Sequence, residues 1–192
     1  MRILITYATR HGSTRGIAER IAAVLAGSDL DVTLRDVHDV RDLDSLQRYD
    51  AFVIGSAIYL GRWLKPATTF IEAHHDELRG RPTWLFSSGP IVGEPVAADP
   101  SDAAKGEAAA KTLHAREHRL FGGKLDKSKL NWCEKIAVRG AHASEGDHRD
   151  WAAIDEWTAS IAQELRRNPA DSASNWSARQ ASRAEEGGSN AA

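Results

Sequence analysis

The segment that most constrains this chain is residues 3–25, Ile3 to Leu25. It opens with the apolar run Ile3-Leu-Ile-Thr-Tyr7, short enough for a buried strand and bounded by polar residues. It closes with Ile17, Ile21, Val24 and Leu25, spaced to form one face of a helix. Between them lies a compact, hydroxyl-rich turn, Thr9-Arg10-His11-Gly12-Ser13-Thr14. A strand, a tight turn and a helix in that order direct unpaired N–H groups and the positive end of a helix dipole out of the turn. Such an end suits phosphate. The first helical turn carries Arg15 rather than an acid, which fits a bound anion supplying the negative charge. No Lys precedes Ser13 or Thr14, as a nucleotide P-loop requires. Gly12 and Gly16 alone do not make a dinucleotide fingerprint.

The rest of the chain alternates. Residues 31–37 read as a half-exposed edge strand and 42–49 as a short helix carrying Leu43 and Leu46. Residues 50–55 form an uninterrupted apolar strand, as in a parallel sheet covered on both faces. Pro66 opens a further helix, with Leu64, Thr68, Ile71 and Leu78 expected inward. Residues 82–87 make a fourth strand, and 103–117 an alanine-rich helix weakened by Gly106. Residues 118–122 make a short fifth strand, and Asp150 starts a last helix with Ile154, Trp157, Ile161 and Leu165 on one face. The pattern is that of an α/β fold with a parallel sheet. His74 and His75 would point about 100° apart on a helix, so they are expected at the surface without a metal.

Apart from His11 at the third place, the turn follows T-x-[TS]-G-x-T and resembles the phosphate loop of flavodoxins, from whose neutral loop residues Arg10 and His11 depart. The resemblance implies bound FMN and a flavodoxin-like three-layer sandwich, with a five-stranded parallel sheet in the order 2-1-3-4-5 and right-handed crossovers. In that topology the ligand lies beyond the carboxyl ends of strands one and three. Thr9, Arg10, His11, Gly12, Ser13 and Thr14 would then hold the phosphate. Strand three runs into Ser56, Ala57, Ile58, Tyr59 and Gly61, and strand four into Ser87, Ser88, Gly89 and Pro90. Tyr59 could offer the flat surface a flavin ring needs, and the 87–93 turn the polar edge. Trp63 fits stacking and core packing equally well. Residues 54–63, 120–125 and 145–151 also resemble the flavodoxin-type, menaquinone-dependent protoporphyrinogen IX dehydrogenases, over roughly residues 1–166, the span of a typical domain. That resemblance implies an FMN oxidoreductase passing electrons from a small-molecule substrate to a quinone or a redox partner protein. A flavodoxin-type electron carrier and an FMN-dependent quinone reductase are the alternatives.

Composition narrows the setting. The chain has 192 residues, 42% of them hydrophobic and 27% charged, at a net charge of −2. That is the make-up of a soluble globular protein and gives no case for nucleic acid. Its one cysteine, Cys133, excludes an intrachain disulfide and a cysteine metal site. Arg2 leads straight into the first strand and no run has the length of a membrane span, so a cytoplasmic protein is expected. Between the fifth strand and the last helix lies an insert, 124–149, far longer than an ordinary connection. Lys127, Lys129, Lys135 and Arg139 beside Trp132 suggest a basic amphipathic helix, suited to an apolar anionic substrate or to peripheral contact with the inner membrane face. Residues 1–167 are expected to form one FMN-binding domain and 168–192 a disordered tail.

Overall fold

The computed structural model describes residues 1–40, 46–59, 62–89, 100–126, 128 and 145–167. Gly61, Pro90, Lys127, Lys129, Trp132, Cys133, Lys135 and Arg139 lie outside the described residues, as does the tail from 168. Five parallel strands form the sheet: β1 Arg2–Ala8, β2 Asp31–Asp36, β3 Ala51–Tyr59, β4 Thr83–Gly89 and β5 Glu117–Gly122. Their order is β2-β1-β3-β4-β5, as expected, and Arg62–Trp63 adds a short antiparallel pairing to the end of β3. Among the described residues the α-helices are α1 Ser13–Ala26, α2 Lys65–Ala73, α3 His75–Arg79, α4 Pro100–Leu113 and α5 Trp151–Arg167.

The strands are apolar on both faces because each face is covered. Ile3, Ile5, Val53, Trp84, Phe86 and Phe121 pack under α1 and α5, meeting Ile17, Ile21, Leu25, Ile154, Trp157, Ile161 and Leu165. Leu4, Phe52, Ile54 and Leu85 face the other way, onto Phe70, Ile71, Leu78 and Leu113. Alternate residues along a strand thus feed two cores. Asp150 caps α5, its Oδ1 accepting from the Ala153 amide at 3.0 Å.

Three local expectations are corrected. The inward face of α2 is Ala67, Phe70 and Ile71, with Leu64 and Thr68 only half-buried. The helix is interrupted at His74, which leaves the α region (φ −120°, ψ 24°) and turns inward. His74 is therefore buried, not at the surface; its ring lies 4.7 Å from that of Phe70, and desolvation pushes its pKa down. Helix α4 ends at Leu113 rather than at 117. His114 takes a left-handed φ of 52°, and the Ala115 amide reaches back to the Ala110 carbonyl at 2.8 Å while that of His114 bonds Lys111. This pair of bonds is a Schellman ending, with histidine at the position glycine favours.

Candidate functional site

The expected phosphate turn sits at the carboxyl end of β1. Gly12 is the N-cap of α1 with φ 86°, a conformation that favours glycine. Its amide donates to Thr9 Oγ1 at 3.0 Å, closing the turn. No side chain caps α1 and no acid stands in its first turn. Thr14 is fully buried, and its Oγ1 has no hydrogen-bond partner. An uncapped helix end beside a buried hydroxyl without a partner is a set of donors that could meet an anion. Two side chains at this end are already engaged within the protein. Arg15 does not wait for an anion: its Nε donates to Glu19 at 2.8 Å, one turn along the helix. Ser13 does not cap the helix: its Oγ accepts from the Lys124 amide at 2.8 Å and lies 3.2 Å from Ser88 Oγ.

Sheet register brings the other two loops alongside, because Ala8 pairs with Ser56 and Ala57 with Ser88. Ala57, Ile58 and Tyr59 are half-buried there. The Arg10 guanidinium lies 4.4 Å above the Tyr59 ring, joining the first loop to the second. Ser56 is fully buried and accepts from the Leu64 amide at 3.0 Å, so its hydroxyl closes the β3 hairpin. Ser87 and Trp63 lie beneath the site. Trp63 Nε1 donates to Ser87 Oγ at 2.8 Å, and Ser87 Oγ is 2.8 Å from His118 Nε2. Trp63, at 5% exposure, is a core residue, not a stacking surface. The His118 ring rests on Gly106, where any Cβ would collide with it, so the glycine that weakens α4 is what lets α4 seat there.

Sequence reasoning missed three residues. Leu120, 45% exposed, lies with Ile58 beside Gly89 and leaves an apolar flank at the end of β4. Gly123 passes so near the Gly89 carbonyl that a Cβ would stand 2.8 Å from its oxygen. Lys124 contributes the amide held by Ser13. The doubled glycine at 122–123 was the available signal, since a close backbone approach needs glycine.

The insert leaves and returns through a small hairpin in which Lys124–Leu125 pairs with Gly146–Asp147. The His148 amide donates to the Gly123 carbonyl at 3.0 Å. Arg149 forks onto the Asp147 carboxylate, covers the Trp151 ring at 4.4 Å and presses against Gly16 of α1. Hydrogen bonding from Arg149 lowers the Asp147 pKa to about 2. A depressed carboxylate stabilises the fold fully above its ordinary pKa of about 3.9, and that contribution disappears as pH falls toward the folded value. Arg149→Met should accordingly raise the Asp147 pKa and narrow the gap in acid stability, read by carboxyl-carbon NMR titration; an unmoved titration would contradict the pairing. Among the described residues, no cluster of His, Cys, Asp and Glu could hold a metal, and no helix is long and apolar enough to cross a membrane.

The flavodoxin-domain family model matches residues 4–151. This chain belongs to the flavodoxin-domain family. The flavodoxin-domain protein is 23% identical over 172 residues to protoporphyrinogen IX dehydrogenase (quinone) of Escherichia coli strain K12, covering 86% of this chain and 94% of that one. Among solved structures it resembles a flavodoxin from the domain Archaea, with a TM-score of 0.59 at 18% identity, covering 86% of this chain and 99% of that one. The rubredoxin oxygen:oxidoreductase of Desulfovibrio gigas gives a TM-score of 0.60 at 12% identity, over 88% of this chain and 37% of that one. These likenesses establish the flavodoxin-like fold, and the family makes this a flavodoxin-like redox protein.

Proposed function

We propose that this protein binds FMN at the ends of β1, β3 and β4 and oxidises protoporphyrinogen IX, with a quinone such as menaquinone as acceptor. The carrying observation is the uncapped N-terminus of α1 with the buried, unpartnered Thr14 hydroxyl. A phosphate monoester would supply the acceptor this hydroxyl and the first-turn amides lack. In this reading Thr9 and Gly12 shape the loop, Thr14 and the backbone amides hold the phosphate, and Arg10 and His11 flank it. Ala57, Ile58 and Tyr59 line one side of the ring, while Ser88 and Gly89 face its edge. Leu120 continues the apolar flank where a large ring would rest. The flavin, when bound, supplies the redox chemistry. The protein's own residues bind it, orient it and exclude water from its buried side. Residues 1–167 form the FMN-binding domain in this proposal and 168–192 a tail, and the protein works in the cytoplasm or against the inner membrane face.

Substrate and acceptor rest on the similarity to the dehydrogenase of Escherichia coli, and on the basic insert that a minimal flavodoxin lacks. Anaerobic incubation of protoporphyrinogen with a catalytic amount of FMN-loaded protein should give no oxidation beyond the one hydrogen pair that each bound FMN accepts, until a menaquinone analogue is added. Porphyrin fluorescence should then appear together with quinol, hydrogen pairs having left the porphyrinogen for the quinone. Loaded protein that turns over neither, yet exchanges electrons rapidly with a ferredoxin-type reductase, would make this a carrier. The match of residues 4–151 to the flavodoxin-domain family model is compatible with that second reading as well.

A further inference from the structure

The hydroxyl of Ser13 stands where a serine is free to turn back on the adjacent backbone and occupy the amides of the first helical turn. It does not. Two elements hold it away from the amides of α1: β4, through Ser88 at 3.2 Å, and the neck of the insert, through the Lys124 amide at 2.8 Å. The neck is held at this point independently as well. Gly123 approaches the Gly89 carbonyl too closely for any side chain, and the His148 amide ties the returning strand to the Gly123 carbonyl at 3.0 Å. On the far side Arg149 packs on Gly16, in the same first turns of α1. The base of the insert and the anion-facing end of α1 therefore share one joint.

We infer that Ser13 is a positioning residue coupling occupancy of the phosphate loop to the neck of the insert. The inference rests on the reading of this loop as the FMN phosphate site. Ser13 does not hold the phosphate. By accepting from Lys124 and pairing with Ser88, it keeps the first-turn amides of α1 open and sets the neck against the loop. An anion that orders residues 12–14 thereby orders residues 123–125 and 146–148, and a displaced neck releases Ser13 to compete for the same amides. The insert is thus placed by the cofactor site, which matters if the insert receives the substrate.

Amide hydrogen exchange on the full-length protein tests this, without and with saturating FMN, alongside affinities for FMN and riboflavin. In the native protein FMN should slow exchange at 123–125 and 146–148 by about tenfold, the size expected when a local opening is suppressed; riboflavin should not. Ser13→Ala should speed exchange at the Lys124 amide without ligand and abolish the effect of FMN on the neck, while Ser13→Thr restores both. Gly123→Ala reaches the joint from the other side. It should loosen the same amides, and it stands in if Ser13→Ala does not fold. Neck exchange that is identical in Ser13→Ala and native protein, or FMN protection that persists in the variant, overturns the coupling. Equal affinity of the native protein for FMN and riboflavin overturns instead the reading of the loop, and the unliganded comparison of the Ser13 variants still decides whether the joint exists.

Discussion

Thr14→Val should move stability and cofactor affinity in opposite directions. The Thr14 side chain is fully buried and its hydroxyl has no partner in the free protein. Valine is nearly the same shape, so it removes a desolvated polar group without opening a cavity. The unliganded protein should thus melt at the same temperature or somewhat higher. With ligand the sign reverses, because a hydrogen bond to a charged acceptor contributes about 1.5–3 kcal/mol. FMN affinity should therefore fall about 10- to 100-fold, while riboflavin, which lacks the phosphate, binds as before. Isothermal titration of both ligands against both proteins reads this directly. Equal losses for FMN and riboflavin would mean that Thr14 acts through packing and not through phosphate.

The second large effect is expected at Trp157, in the core between α5 and the sheet. Its ring is 1% exposed and meets Phe86 and Phe121 edge-on, at centroid distances of 6.4 and 5.4 Å. Its indole N–H donates to Glu117 on β5 at 2.9 Å. The residue thus joins α5 to the sheet both through area and through one polar contact. Trp157→Ala should cost about 3–5 kcal/mol, the usual range for an aromatic side chain removed from a packed core. At about 2–4 °C per kcal/mol for a domain of this size, the midpoint of thermal unfolding should drop by about 6–20 °C. Trp157→Phe keeps most of the area and loses the hydrogen bond, so it should fall well short of that. If both variants unfold at the native temperature, α5 does not close this core.

Much of the architecture is written in local periodicity. Apolar runs of strand length alternate with helical faces, and that alternation alone implies a parallel sheet with helices on both sides. Ile17, Ile21 and Leu25, and Ile154, Trp157, Ile161 and Leu165, are legible as inward faces because a helix buries the same side along its length. The turn at Thr9–Thr14 is equally legible, since strand, glycine and helix succeed one another within a few residues.

What lay outside the sequence's reach were relations between segments distant along the chain. Ser13 reads as one more hydroxyl for the phosphate until Lys124, 111 residues away, is seen to hold it. Trp63 fits a stacking ring and a core ring equally until Ser87 and His118 are placed beside it. Gly106 counts against a helix until His118 is seen to need the space. Local pattern records which face of an element is apolar. It carries no information on which distant backbone will present a donor, because that depends on sheet order and on how closely the loops approach. The sequence by itself determined the α/β fold and the loop suited to phosphate. Only the tertiary structure decided which of the loop's hydroxyls stay open to an anion and which are already held.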